Sequence, residues 1–264
     1  MKIAVCMKQV PAVSEGSMDP ETGVLIRTGL EAVTNLYDRS ALEAALRIRE
    51  RCKGEIHVFT MGPRKAEEVL RDAYAMGADQ GYLISDPAFG GADVLATSYT
   101  LMQAIRSAGT YDLILCGRQT TDGDTAQTGS ALAAWLGWRQ LNWVIGLEAE
   151  EERLTALCRM DGRTAEVTVP LPCVAMVERD GFVPRMPSLK LRMQGRKKSI
   201  KVISLQELED RTPEHYGLKG SATRVKKIFA PKSAERKAIV YKSGAEGAAY
   251  LAQLLKETGQ EAGI

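Results

Sequence analysis

The first 137 residues alternate four times between a short apolar run and an amphipathic helical pattern, and this alternation restricts the fold more than any other feature. Residues 2–7, 55–61, 80–84 and 113–116 are near-continuous apolar runs of strand length, the signature of strands buried on both faces. Between them lie three helical patterns. The first places Ala41, Leu42, Ala45, Leu46 and Ile48 on one face, with Asp38 or Ser40 as its cap. The second covers residues 65–76 and closes at Gly77, and the third opens at Ala92-Asp93 and runs to about residue 107. A βαβα repeat predicts a parallel sheet with helices on both faces. The loops after the four strands then leave from one edge of the sheet, so residues near Cys6, Met61, Ser85 and Gly117 converge there. That edge is where ligands bind in open α/β sheets.

The richest of these loops follows the fourth strand. Gly117 breaks the apolar run, and Arg118, Gln119, Thr120, Thr121, Asp122, Gly123 and Asp124 present a cation, an amide, hydroxyls and carboxylates. The next helix is read as opening with Asp124-Thr125-Ala126-Gln127-Thr128-Gly129-Ser130. Its first turn is small and polar, so an anionic ligand can approach the free backbone N–H groups. The same stretch also reads as a plain βα unit, with Asp124 as N-cap and Gly129 as a packing glycine. A second candidate loop covers residues 85–98, where Gly90-Gly91 bends the chain before Asp93 opens a helix; its alternative is an ordinary turn.

After Gly137 the pattern changes. Residues 138–147, 153–160 and 163–169 read as shorter strands with a hairpin turn at Asp161-Gly162, and 173–177 as a further apolar strand. This set is expected to extend the sheet with antiparallel members. Residues 182–193 form a proline-punctuated segment carrying Met186, Leu189, Leu191 and Met193. Lys190, Arg192, Arg196, Lys197, Lys198 and Lys201 lie in or just after it with no acid among them. Residues 23–27 are a possible hairpin arm, residues 213–231 are polar and irregular, and residues 243–258 form an amphipathic terminal helix.

Several functions are disfavoured. The net charge of +2 and the lack of aromatics among the clustered lysines argue against nucleic acid. No apolar run is long enough to span a bilayer, and the apolar run after Lys2 is too short for a signal peptide. Five scattered cysteines with no C-x-x-C pair suit idle thiols in a reducing cytoplasm. With His57 and His215 alone, a histidine metal site or triad is not expected, and His57 reads as structural. Neither G-x-G-x-x-G after the first strand nor a P-loop is present.

The stretch Gly117-Arg118-Gln119-Thr120-Thr121-Asp122-Gly123-Asp124-Thr125-Ala126-Gln127-Thr128-Gly129 resembles the G-[RK]-Q-x-x-D-[GD]-D-x-x-Q-T-G signature of electron transfer flavoprotein beta subunits. Val5-Cys6-Met7-Lys8-Gln9-Val10-Pro11 is similar to the family's V-x-x-K-x-V-P opening. Met61-Gly62-Pro63, the A-M-G-A-D run ending at Asp79 and the Pro-Ser-Leu-Lys loop also match. The resemblance covers most of the chain and is weakest after about residue 212. Leu36 stands where the family pattern has proline, Thr120-Thr121 where it has Ala-Ile, and Arg139 where proline is common.

The resemblance implies an α/β, mostly parallel, doubly wound sheet of the adenine-nucleotide-hydrolase-like kind, with an antiparallel extension and a C-terminal arm. It implies residues 1–190 as a nucleotide- or flavin-binding domain. Residues 191–264 would form a basic linker and an arm whose helix contacts a larger alpha subunit. The implied cofactor site joins Cys6, Asn35, Leu36, Tyr37, Asp38 and Met61 to Gly117, Arg118 and residues 122–130. The segment 85–98 resembles electron-bifurcating members, which adds Gly91, Asp93 and Thr97 and favours FAD over AMP. In that form FAD takes a hydride from NADH. One electron then goes to ferredoxin or flavodoxin, and the other goes through the alpha-subunit FAD to an acyl-CoA dehydrogenase-type partner docked at the Met186 loop. Arg118 would stabilise an anionic reduced flavin or stand as a solvent-facing ion pair. No side chain is needed as acid, base or nucleophile, because the cofactor carries the chemistry. The alternatives are an AMP-binding structural subunit without bifurcation and a non-redox nucleotide module like the universal stress proteins, whose G-x-x-G spacing is not found here.

Overall fold

The computed structural model describes residues 1–12, 32–226 and 243–261; the possible hairpin arm at 23–27 lies outside them. The chain divides into two compact units, Met1–Ile228 and Phe229–Ile264. In the first unit β1 (Lys2–Cys6) is followed by the short antiparallel pair β2 (Gln9–Pro11) and β3 (Ala32–Thr34), then α1 (Leu36–Cys52). Next come β4 (Glu55–Met61), α2 (Glu67–Met76), β5 (Gln80–Ile84), α3 (Val94–Ala108), β6 (Leu113–Gly117) and α4 (Thr128–Leu136). Then follow β7 (Arg139–Ala149), β8 (Arg153–Met160), β9 (Arg163–Pro170), β10 (Cys173–Val177), α5 (Leu189–Gly195), β11 (Ile200–Ile203) and α6 (Gly217–Gly220). In the second unit the expected terminal helix is α7 (Gly244–Glu261).

The nine-stranded sheet has the order β11-β5-β4-β1-β6-β10-β7-β8-β9. Side chains alternate between its faces, as a pleated strand requires. Ile3, Val5, Ile56, Val58, Leu113 and Leu115 pack with Leu42 and Leu46 of α1 and Leu70 of α2. Ala4, Cys6, Phe59, Ile114 and Cys116 pack with Leu101 and Ile105 of α3 and Leu132 of α4. Both faces are therefore apolar, which explains why the strands read as continuous hydrophobic runs. From β1 the chain winds outward through β4 and β5, then returns to the opposite side of β1 as β6. The connections leaving β1 and β6 thus run in opposite directions, and their carboxyl ends flank a topological switch point.

Two expectations need correction. The second set of strands is not uniformly antiparallel: β10 inserts between β6 and β7 and runs parallel to both, while the antiparallel pairings are β7 with β8 and β8 with β9, so that β8 alone runs against the rest of the sheet. All five residues of β10 are buried, so it belongs in the sheet interior rather than on an extension. In addition, the basic stretch holds a strand. Residues 200–203 pair with residues 81–84 as β11 at the sheet edge.

Tyr74 of α2 fixes that edge. Its hydroxyl accepts from the Gly81 N–H at 2.7 Å and donates to the Ser199 carbonyl at 2.8 Å, just before β11. Replacing Tyr74 with Phe leaves a buried N–H unsatisfied and should cost about 2 kcal/mol of unfolding free energy. Denaturant unfolding should show that loss, with faster amide exchange at residues 200–203; unchanged stability would contradict this role.

Candidate functional site

The site begins with the two strands that flank the switch point. Cys6 and Cys116 are register partners at the ends of β1 and β6, and both are buried. Burial pushes the Cys6 thiol up to about 12, with the neighbouring Asp38 charge adding to the effect. These thiols form an inert floor rather than a reactive pair.

Asp38 joins the strand ends. Its carboxylate accepts the Lys8 N–H at 2.8 Å and the Gly117 N–H at 3.0 Å, one from each side of the switch point. Asp38 was expected as a possible helix cap or ligand contact, but α1 begins at Leu36 with Asn35 at the N-cap position. Leu36 is the first helical residue, a position that proline also suits. The Asn35 amide donates across the crevice to the Gln119 carbonyl at 2.9 Å, and its Oδ1 is buried with no partner among the described residues. A Cβ at Gly117 would collide with Asp38 Oδ1 and the Tyr37 side chain, so only glycine allows β6 to approach α1 this closely.

The loop after β6 is largely exposed. Asp122 accepts both bonds from the Lys8 ammonium, at 2.8 and 2.7 Å, and also the Gly123 N–H at 2.8 Å. Asp124 and Ala126 both take left-handed backbone, with φ of 48° and 54°. Helix α4 therefore starts at Thr128, not at Asp124, and its N-cap residue is Gln127. Gln127 supplies no side-chain cap. Among the described residues, nothing accepts from the amides of residues 125–130, and the hydroxyls of Thr125, Thr128 and Ser130 make no hydrogen bond. Left-handed and right-handed residues in succession turn backbone amides toward one point, and an uncapped helix start adds a partial positive charge. This shelf fits a phosphate. Gly129 lies beneath it in the packing role expected of it: a Cβ there would press on Met176 and Cys116 Sγ.

Arg118 is neither free nor facing solvent. Its Nε donates to Glu178 at 2.8 Å in a largely buried ion pair, and its guanidinium lies 4.0 Å from the centre of the Trp143 ring and 5.6 Å from that of Tyr37. Trp143 has φ of 56° at the bulge where β7 pairs with β10, and it is partly exposed. Sequence reasoning missed Lys8, Glu178 and Trp143 as site residues. Lys8 and Glu178 each lie just past a buried strand on the ligand edge, which is a usable signal. Nothing in the sequence marks the backbone of Trp143.

The loop after β5 forms a separate group on the same edge. Asp93 caps α3 by accepting the Ala96 N–H at 3.1 Å, and it also accepts the Thr223 N–H and hydroxyl at 2.8 and 2.9 Å. The Gly90 carbonyl accepts the Leu218 N–H at 2.9 Å, Gly91 has φ of 72°, and the Thr97 N–H bonds the Asp93 carbonyl. Residues 217–223 thus hold this loop. Met61 ends β4 and is half-buried between the two loops' strands. A cavity of about 570 Å³ lies between β2, β3 and α2 and reaches the predicted set only at Leu36 and Asp122.

Farther along the chain, Arg185 grips α1 through Glu43 at 2.8 Å and Glu50 at 2.6 Å. The neighbouring Met186 is 87% exposed, and Val183, Leu189 and Met193 are exposed with it. This apolar row is held firmly and faces solvent among the described residues.

An electron transfer flavoprotein domain is recognised over residues 22–208. The electron transfer flavoprotein subunit beta of Thermoanaerobacterium thermosaccharolyticum is 41% identical over 232 residues, 88% of each chain. The chain belongs to the electron transfer flavoprotein beta-subunit family. Subunit CarD of the caffeyl-CoA reductase-Etf complex of Acetobacterium woodii is 40% identical over 88% of each chain. Protein FixA of Bradyrhizobium diazoefficiens is 41% identical over 89% of this chain and 85% of its own. Beta subunits of this family pair with an alpha subunit, and the α/β fold with a mostly parallel sheet is the one found here. Among the described residues no helix is long and apolar enough to cross a membrane.

Burial pushes the Asp38 pKa up to about 7, against the Lys8 and Gly117 N–H groups, Asn35 and the Lys8 charge, which pull it down. A carboxyl raised in the folded state favours folding below its unfolded pKa, and that contribution is lost as pH rises through the folded value. The stability of the natural protein relative to Asp38→Asn should therefore fall as pH rises from about 4 to about 7 and level off above that. Parallel thermal unfolding of both proteins across that range tests this; a difference independent of pH would contradict it.

Proposed function

We propose that this chain is the nucleotide-holding beta subunit of a heterodimeric electron transfer flavoprotein of the electron-bifurcating type, with FAD on the shelf between β6 and α4. The observation that carries the reading is the uncapped start of α4 behind two left-handed residues at the switch point. Residues 125–130 would hold the pyrophosphate through backbone amides and the Thr125, Thr128 and Ser130 hydroxyls. Asp38 keeps the crevice at its width, and Asn35 and Tyr37 line its α1 side. Gly91, Asp93 and Thr97 belong to the loop that would face the ring. When bound, FAD supplies the redox chemistry, exchanging a hydride with NADH and single electrons with ferredoxin or flavodoxin and with the alpha-subunit FAD. The Arg118–Glu178 pair under Trp143 is already neutralised, so in this reading it stiffens the edge rather than lending charge to a flavin. The identity with the caffeyl-CoA reductase-Etf subunit supports the bifurcating form.

The partners follow from the same reading. Helix α7 would contact the alpha subunit, and the Met186 loop would dock an acyl-CoA dehydrogenase-type protein. Five unpaired cysteines, only Cys52 of them exposed, suit the cytoplasm. One observation favours the second reading, in which AMP is a purely structural ligand: Asp93 and the Gly90 carbonyl are already bonded to residues 217–223.

Acid-released flavin and adenine nucleotide from the co-purified heterodimer decide between the two. The proposal expects two FAD and no AMP per heterodimer; one FAD with one AMP would overturn it. A separate outcome concerns docking. Met186→Ala should lower dehydrogenase-dependent turnover at least about fivefold at subsaturating partner, because exposed anchors carry much of a binding energy. Flavin content should hold. Unchanged turnover would remove Met186 from the docking surface.

A further inference from the structure

The shelf carries two carboxylates of its own, Asp122 and Asp124, on a loop that offers its amides to an anion. An unpaired carboxylate there would repel phosphate, so its neutralisation matters. Asp122 has a dedicated cation. The Lys8 ammonium bonds both of its oxygens, at 2.8 and 2.7 Å. The base of that lysine cannot drift. Its N–H is held by Asp38 at 2.8 Å, and its carbonyl accepts the Asn35 N–H at 3.0 Å. Its side chain therefore spans the crevice from a fixed point to the loop. Asp122 passes the restraint onward by accepting the Gly123 N–H at 2.8 Å, immediately before the left-handed Asp124. Burial pushes the Asp122 pKa up, but the Lys8 ammonium, with the Thr120 hydroxyl, outweighs that and holds it below the usual carboxylate range.

We propose that Lys8 is a positioning residue for nucleotide phosphate, acting through Asp122: it cancels the Asp122 charge, leaving Asp124 as the one uncompensated carboxylate of the loop among the described residues, and pins the loop in its phosphate-ready shape. The inference rests on the reading of the shelf as the nucleotide site. It differs from direct contact, in which the ammonium itself would bond the phosphate.

The two modes separate in a mutant cycle on the nucleotide-stripped heterodimer, titrated calorimetrically with AMP and with FAD at fixed ionic strength. Lys8→Met leaves Asp122 charged and unpinned and should weaken binding about tenfold. Asp122→Asn keeps the acceptor for the Gly123 N–H and removes the charge. Added to Lys8→Met, it should restore affinity to within about threefold of the natural protein. Both partners are substantially exposed, with side-chain exposures of 46% and 31%, so the ion pair contributes little to folding. Melting temperatures should accordingly stay within about 3 °C of each other. If the double variant binds as weakly as Lys8→Met, cancelling the Asp122 charge is not what the lysine does and the proposal is overturned. Unchanged binding by Lys8→Met, or a collapse of its melting temperature, also overturns it. A natural heterodimer that binds neither AMP nor FAD overturns the shelf reading, and this inference with it.

Discussion

One carboxylate, that of Asp38, sits where β1 and β6 part and accepts the N–H of Lys8, two residues past β1, and that of Gly117 at the end of β6. Those two amides have no strand beyond them to pair with, because the chain turns away in opposite directions at the switch point. A buried unsatisfied amide costs about 1–3 kcal/mol, so satisfying both with one residue of α1 fixes helix and strands together. Burial taxes the charge that does this, which is why the Asp38 pKa is pushed up to about 7.

The rest of the site is arranged around that fixed point. Gly117 has no Cβ because Asp38 and Tyr37 occupy its place, and Gly129 has none because Met176 and Cys116 do. These two glycines bring α1 and α4 down onto the sheet edge. Between them the loop spends conformational energy rather than saving it: Ala126 in left-handed backbone costs about 1 kcal/mol. Strain of that kind at an exposed loop, followed by a helix start left without a cap, fits a surface shaped for a ligand rather than for folding alone. The Arg118–Glu178 pair under Trp143 and the grip of Arg185 on Glu43 stiffen the neighbouring edge and the Met186 loop in turn.

Much of this was legible in the residues. Strands buried on both faces leave unbroken apolar runs, so β1, β4, β5 and β6 and the convergence of their loops could be read directly. Small hydrogen-bonding residues after Gly117 marked the shelf. What could not be read depends on non-local partners. Small polar residues favour helix entry and so point to Asp124 as the start of α4, yet Ala126 has no preference that would announce a positive φ. The return of β10 into the sheet interior follows from pairing, not from composition. β11 was hidden because an edge strand half-exposed beside lysines looks like a basic linker. Asp38 looked like a cap because its true partners, Lys8 and Gly117, are distant in sequence. Lys8 carries no local mark of its role either, because its side chain reaches Asp122 across the crevice.

The central claim is that a nucleotide phosphate meets the amides at the start of α4. Hydrogen–deuterium exchange on the nucleotide-stripped heterodimer, with and without added AMP or FAD, reads those amides directly. Protection concentrated in residues 123–131, with smaller protection at residues 35–38, is the result this account predicts. Strong protection elsewhere on the sheet edge with residues 123–131 unchanged would contradict it.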